Sequence, residues 1–171
     1  MKNNDIIRRL RYIFDLDDSA MIALFGLANH TVTRAQISDW LKKDDDPSFA
    51  KCRDKDLAIF LNGVIIDFRG KKEGPLPLPE SRLSNNIILN KLKIALSFKA
   101  DDVLEILALA DVTISKHELS ALFRRPGHKH FRECKDQILR NFLLGLQRKY
   151  RPTTESEKPS PWERAVNKAS E

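Results

Sequence analysis

Residues 49–63 read FAKCRDKDLAIFLNG, and residues 131–145 read FRECKDQILRNFLLG. Both stretches fit the frame F-x-x-C-x-D-x-x-L-x-x-F-L-x-G, at an offset of 82 residues. The same offset aligns residues 3–69 with residues 85–151 without a gap. Apolar residues recur in the frame three and four positions apart, which is the spacing of one helix face. The sequence therefore predicts a duplicated helical unit.

Each unit contains four apolar patterns of helical period, separated by capping and turn signals. We therefore predict an all-α protein, formed by tandem duplication of a four-helix unit. The predicted divisions are residues 1–70 (repeat one), 71–84 (a Pro/Gly linker), 85–151 (repeat two) and 152–171 (a disordered tail).

The tail opens with PTTESEKPSP, a polar and proline-rich composition that stays disordered. Farther along it, the segment from Trp162 to Lys168 could form a transient helical turn or a docking motif. In the linker, Leu76 and Leu78 are the residues expected to pack against the helices.

Asparagine pairs stand at the start of the first helix in each unit. Because a short side-chain oxygen can reach the free N–H groups of a helix start, we predict that Asn3 or Asn4 caps one helix and that Asn85 or Asn86 caps the other.

The second helix of each unit is apolar on most sides, which predicts that the two units pack together through these central helices. The fourth helix of each unit contains an internal glycine, Gly63 or Gly145. Glycine inside a helix costs about 1 kcal/mol relative to alanine. We therefore predict that another helix approaches closely at both positions.

Composition and motifs exclude several classes of protein. The charged N-terminus lacks a signal-peptide core, and no apolar run approaches the roughly 20 residues of a membrane span, so we expect a cytoplasmic protein with no membrane partner. Cys52 and Cys134 form no zinc-binding pattern and are expected to be reduced, buried thiols. No nucleophile elbow, phosphate-binding glycine loop or catalytic carboxylate pair is present. We predict no catalytic residue, no metal and no cofactor.

Two loops at equivalent positions differ in charge. The acidic loop, residues 42–49, reads KKDDDPSF, and the basic loop, residues 124–131, reads RRPGHKHF. Residues 83–151 carry 13 Lys and Arg against 7 Asp and Glu, so the +6 charge of the chain resides in repeat two. Clustered cations attract phosphate and release counterions on binding. The predicted nucleic-acid contacts are Lys116, His117, Ser120, Arg124, Arg125, His128, Lys129, His130 and Arg132.

The alternative hypothesis is a protein-interaction adaptor that binds an acidic protein or a second copy of itself. The triplet Asp44, Asp45 and Asp46 opposes the basic loop in sign, and such surfaces can join molecules head to tail. The aspartate triplet does not have the spacing of a metal site, and neither does the pair His128 and His130. All of these side chains are expected to be solvated loop residues.

Two resemblances add to these inferences. The stretches NNIILNKLKIA, KADDVLEIL and HKHFRECKDQILRNFLLGL resemble the YehS family of bacterial proteins over about residues 2–150. That resemblance implies a duplicated, helical, cytoplasmic bacterial protein and carries no active site. The stretch ISDWLKKDDDPSF, residues 37–49, resembles the recognition-helix end of repressor-type helix-turn-helix domains, which implies DNA binding.

Overall fold

A computed structural model describes residues 1–152, which form eight α-helices and no strand. The helices are α1 (Asn3–Ile13), α2 (Asp18–Leu27), α3 (Arg34–Leu41), α4 (Asp54–Arg69), α5 (Asn85–Ala95), α6 (Ala100–Leu109), α7 (Lys116–Leu122) and α8 (Asp136–Tyr150). Shifting the bounds of α1–α4 by 82 residues gives those of α5–α8 to within one residue. The all-α tandem duplication is confirmed. The disordered-tail prediction falls on residues 153–171, outside the described part of the chain. No helix of residues 1–152 is long and apolar enough to cross a membrane.

Within each repeat, the second helix crosses the fourth at a glycine. A Cβ atom placed on Gly63 would lie 2.0 Å from the carbonyl oxygen of Leu24, and one on Gly145 would lie 2.0 Å from that of Ile106. These distances are far inside van der Waals contact, so only glycine lets the two backbones meet. The predicted close approach is confirmed at both positions.

The two repeats pack through their first and fourth helices. The main contacts between them join α1 to α8 and α4 to α5, which exchange under the 82-residue offset and so describe a two-fold arrangement. A matching pair of hydrogen bonds supports it: the Met1 ammonium donates to Asp136 at 2.7 Å, and the Leu83 amide donates to Asp54 at 2.9 Å.

The predicted packing through the central helices is therefore wrong. Helices α2 and α6 bury their apolar faces within their own repeats, against α4 and α8. Helix α4 is buried on most of its sides, since residues 56–64 are all buried, and four residues of α1 (Ile6, Ile7, Leu10 and Ile13) are fully buried as well.

The predicted capping role of the asparagine pairs is also wrong, because Asn4 lies inside the first turn of α1 and is buried. Its Nδ2 donates to the carbonyl oxygens of Trp40 and Ala50, both at 2.9 Å, and its Oδ1 accepts from the Cys52 amide at 3.0 Å. Asn86 makes the same bonds to the backbone of Leu122, Arg132 and Cys134. Each asparagine thus ties both ends of its loop to the first helix of its repeat.

The two cysteines are free and buried, beside these asparagines. Burial raises the pKa of the Cys52 thiol to about 12 and that of the Cys134 thiol to about 11. A thiol becomes a nucleophile or a redox centre through its thiolate, which these sites disfavour. The expectation of buried, unreactive thiols agrees with this environment.

Candidate nucleic-acid interface

The nine predicted contact residues all lie on or directly after α7. Ser115 caps the start of this helix, because its hydroxyl accepts a hydrogen bond from the Glu118 amide at 3.0 Å. Leu119 and Leu122 turn one face of the helix into the core, which leaves Lys116, His117 and Ser120 exposed. The cationic residues of the basic loop, together with Arg132 after it, are exposed as well.

Eight of these nine residues line two clefts on either side of α7, and Lys116 lines neither. The cationic cleft, of about 480 Å³, has Ala100, Leu119 and Phe123 among its lining and is otherwise lined by Lys93, Ser120, Arg124, Arg125 and His128. None of its lining residues is acidic.

The mixed cleft, of about 790 Å³, lies on the other side of α7. It brings together His117, Lys129, His130, Arg132 and Lys135, but Glu118 and Glu133 line it too. Lys135 Nζ lies 3.5 Å from a Glu133 carboxylate oxygen, so part of the positive charge is compensated there. Of the two clefts, the cationic cleft is the better anion site.

Three imidazoles connect the clefts across the basic loop. The ring centroids of His128 and His130 are 5.5 Å apart, and those of His117 and His130 are 6.5 Å apart. The His130 amide donates to Nδ1 of His128 at 3.0 Å. A neutral imidazole whose Nδ1 accepts carries its proton on Nε2, so His128 presents an N–H donor from Nε2.

Four of the predicted cations are not compensated by an ion pair among residues 1–152. Arg124, Arg125, Lys129 and Arg132 form no ion pair within 4.0 Å in that part of the chain. Lys116 differs from these four, because its Nζ lies 3.0 Å from Oδ1 of Asp101. Ser120 is engaged as well, because its hydroxyl donates to the His117 carbonyl oxygen at 2.9 Å. Lys116 and Ser120 are therefore weaker candidates for phosphate contacts than the arginines.

Two cations that line the clefts are not among the nine predicted contact residues. Lys93 reaches the cationic cleft from α5, with its Nζ 5.1 Å from the centre of the Phe123 ring. Lys135 precedes α8 and lines the mixed cleft. Lys135 lies close enough to the basic loop in sequence to have been included. Nothing local connects Lys93 to α7, which begins 23 residues later, because only helix packing brings them together.

Within the acidic loop of repeat one, Asp44 is compensated by cations of the same molecule. Asp44 forms ion pairs with Lys2 and with Arg8, whose Nη2 lies 3.8 Å from its carboxylate. The hydrogen bond from Lys2 holds the pKa of Asp44 below its ordinary value. At the 82-residue offset, Lys2 and Arg8 are replaced by Ser84 and Asn90. Repeat two therefore has no cation at either of these two positions.

The helix-turn-helix resemblance stays a prediction. Residues 28–33 connect α2 to α3, and residues 110–115 connect α6 to α7. These six-residue connections are longer than the three or four residues usual in the DNA-binding motif. No solved structure matches the chain.

Comparisons of the whole sequence agree with the duplication. The uncharacterized protein YehS of Escherichia coli (strain K12) is 46% identical over 147 residues, which cover 85% of this chain and 94% of that protein. Residues 3–70 and 85–151 match the family described as "Protein of unknown function (DUF1456)". With both repeats matched, the chain belongs to the DUF1456 family, which confirms the resemblance to YehS-like proteins.

Proposed function

We propose that this protein is a non-enzymatic nucleic-acid-binding protein whose contact surface is the cationic cleft together with the basic loop. The observation that carries the proposal is the set of uncompensated cations in repeat two. Arg124, Arg125, Lys129 and Arg132 are exposed and have no acidic partner within residues 1–152. At the position equivalent to Arg124, Lys42 of repeat one pairs with Asp39.

Phosphate is the anion that this surface suits best. A guanidinium group donates two parallel hydrogen bonds to phosphate oxygens, and Arg124 and Arg125 stand side by side at the cationic cleft. His128 adds an Nε2–H donor at the same cleft, and Lys129 continues the positive surface along the loop. We assign these residues to the sugar–phosphate backbone, which gives affinity without sequence preference.

The apolar lining of the cleft favours a single strand over a duplex. Apolar side chains, including the half-buried ring of Phe123, lie among the cations. An unpaired base can enter such a cleft and stack on an aromatic ring, a contact worth about 1–3 kcal/mol. A paired base inside a duplex cannot reach it.

Fluorescence anisotropy with labelled single-stranded RNA, single-stranded DNA and duplex DNA tests the proposal. Because binding at about five phosphates releases counterions, we expect affinity for a single strand to fall on the order of 10²-fold between 50 and 200 mM salt. Affinity for the duplex should be lower at every salt concentration. Absence of binding to all three probes at low salt would contradict the proposal.

Charge reversal in the two repeats supplies a matched comparison. The double variant Arg124→Glu, Arg125→Glu should abolish binding. The variant Lys42→Glu, Lys43→Glu makes the same change in net charge at the equivalent positions of repeat one. It should lower affinity far less, since those lysines belong to the acidic loop. Equal losses in both variants would show that net charge alone governs binding and that repeat two holds no site.

The adaptor hypothesis is less well supported, because Lys2 and Arg8 already pair with Asp44, one of the three aspartates that would bind a second copy. Sedimentation at low and high salt tests it, with wild type and a variant carrying asparagine at positions 44–46. Salt-sensitive dimers in wild type that disappear in the variant would favour self-association over nucleic-acid binding.

A further inference from the structure

An open groove of about 730 Å³ lies between α4, the linker and α5. We call it the linker groove. Its apolar lining includes Ile65, Leu76, Ile94 and Phe98. Ile94, the penultimate residue of α5, remains 40% exposed. The linker only partly covers the groove: Leu76 is half-buried, but the predicted packing of Leu78 is wrong, since that residue is 91% exposed.

The rim of the linker groove is cationic. Arg69, Lys72, Lys91 and Lys93 all line it, whereas Glu80 is the acidic residue there. Glu80 is already engaged, with a carboxylate oxygen 3.0 Å from Lys91 Nζ. The groove therefore suits a partner that combines a large apolar side chain with negative charge.

We propose that Trp162 of the same chain docks in the linker groove, with the glutamates around it facing the cationic rim. Residues 155–163 read ESEKPSPWE, in which three glutamates oppose a single lysine. The stretch thus offers an indole ring for the apolar lining and net negative charge for the rim. The chain carries two tryptophans, and the other, Trp40, is buried in repeat one.

The end of α8 places the tail beside this groove. Lys149, one residue before the end of α8, has its Nζ 5.8 Å from the centre of the Phe98 ring, which lines the groove. Trp162 follows Pro152 by ten positions, a span that can extend to about 35 Å. A tether of this length gives an effective concentration of about 1 mM, so docking with an intrinsic dissociation constant of about 0.1 mM would be occupied about nine-tenths of the time.

Tryptophan fluorescence of the full chain tests the proposal. The difference between the spectra of wild type and Trp162→Phe isolates the emission of Trp162, and a peptide of residues 153–171 gives the exposed reference. We expect the emission in the full chain to be blue-shifted from the peptide and its quenching by acrylamide to be several-fold weaker. Equal emission and quenching in the chain and the peptide would overturn the proposal.

Two charge-introducing variants locate the docking site, each measured with and without Trp162→Phe. Ile94→Glu places a carboxylate in the groove and should return the Trp162 emission and quenching to the peptide values. Leu109→Glu makes the same change at a residue of α6 with similar exposure, 43%, outside the groove, and should leave both unchanged. A blue shift that survives Ile94→Glu would overturn the linker groove as the site. A blue shift lost on dilution would assign the tail to a second copy and overturn docking within one chain.

Discussion

The acidic loop and the basic loop stand on the same support and differ at their tips. Asn4 and Asn86 bind the backbone at both ends of the two loops with matching bonds. Between those ends, one loop carries an aspartate triplet and the other carries Pro126, Gly127 and His128. The supports are buried, where a lost hydrogen bond is costly, whereas the tips are exposed and free to change charge. Duplication has therefore kept the support in both repeats, whereas only one repeat carries the candidate binding surface.

The largest expected effect comes from the glycine contacts that both repeats share. The change Gly145→Ala puts a Cβ atom 2.0 Å from the Ile106 carbonyl oxygen, which the α6 backbone can relieve only by moving away from α8. We expect a loss of about 3 kcal/mol in the free energy of unfolding, measured by urea denaturation. Gly63→Ala should cost as much in repeat one.

Gly26→Ala is the control for these variants. A Cβ atom on Gly26 meets nothing within 4 Å, and repeat two already has alanine at the equivalent position, Ala108. This change should therefore raise stability by about 0.5–1 kcal/mol, the cost of glycine in a helix. A stability of Gly145→Ala equal to wild type would contradict the close helix contact.

The asparagine supports give the next effect. Asn86→Ala leaves two carbonyl oxygens and the Cys134 amide without their partner, and we expect a loss of about 2–3 kcal/mol. Asn4→Ala should lose a similar amount if the two supports are equivalent. Asn90→Ala, an exposed change on the same helix as Asn86, should stay within about 0.5 kcal/mol of wild type. Stabilities that differ widely between the two buried variants would break the equivalence of the supports.

The buried thiols make stability depend on pH. Burial raises the pKa of Cys52 to about 12 and that of Cys134 to about 11, whereas an unfolded thiol has a pKa of about 8.5. Above that value the unfolded chain releases protons that the native chain retains, so the free energy of unfolding falls as pH rises toward the native pKa. Between about pH 8 and pH 10 we expect a loss of about 2 kcal/mol for each thiol. Urea denaturation of wild type and of Cys52→Ala, Cys134→Ala measures it, and parallel pH profiles would contradict it.

Exchange of the loop tips has the smallest expected effect on the free energies measured. The triple variant Pro126→Asp, Gly127→Asp, His128→Asp gives repeat two the triplet of repeat one. Affinity for single-stranded RNA or DNA should fall about tenfold, or about 1.4 kcal/mol, because the basic loop gains three negative charges. Stability should remain within about 0.5 kcal/mol, since all three residues are exposed. Unchanged affinity at low salt would remove the basic loop from the proposed contact surface.

Much of the fold was predictable because its signals are local or repeated. Apolar periodicity and capping signals predicted the eight helices. The glycines at positions 63 and 145 predicted close helix contacts, which the structure confirms. The asparagine pairs were misjudged because the same residue type caps a helix from outside or bonds a distant loop from within. Their position relative to the first turn decides between these roles, and the sequence leaves that position uncertain by a residue or two.

The sequence alone determined the duplication, the helical class and the excess of positive charge in repeat two, because these follow from residue order and local spacing. The tertiary structure decided how the repeats face each other, through α1 with α8 and α4 with α5. It also decided which cations remain without an acidic partner and brought Lys93 from α5 to the cleft beside α7. Such pairings join residues far apart in the chain, and they are fixed by the fit of buried surfaces that no local pattern records.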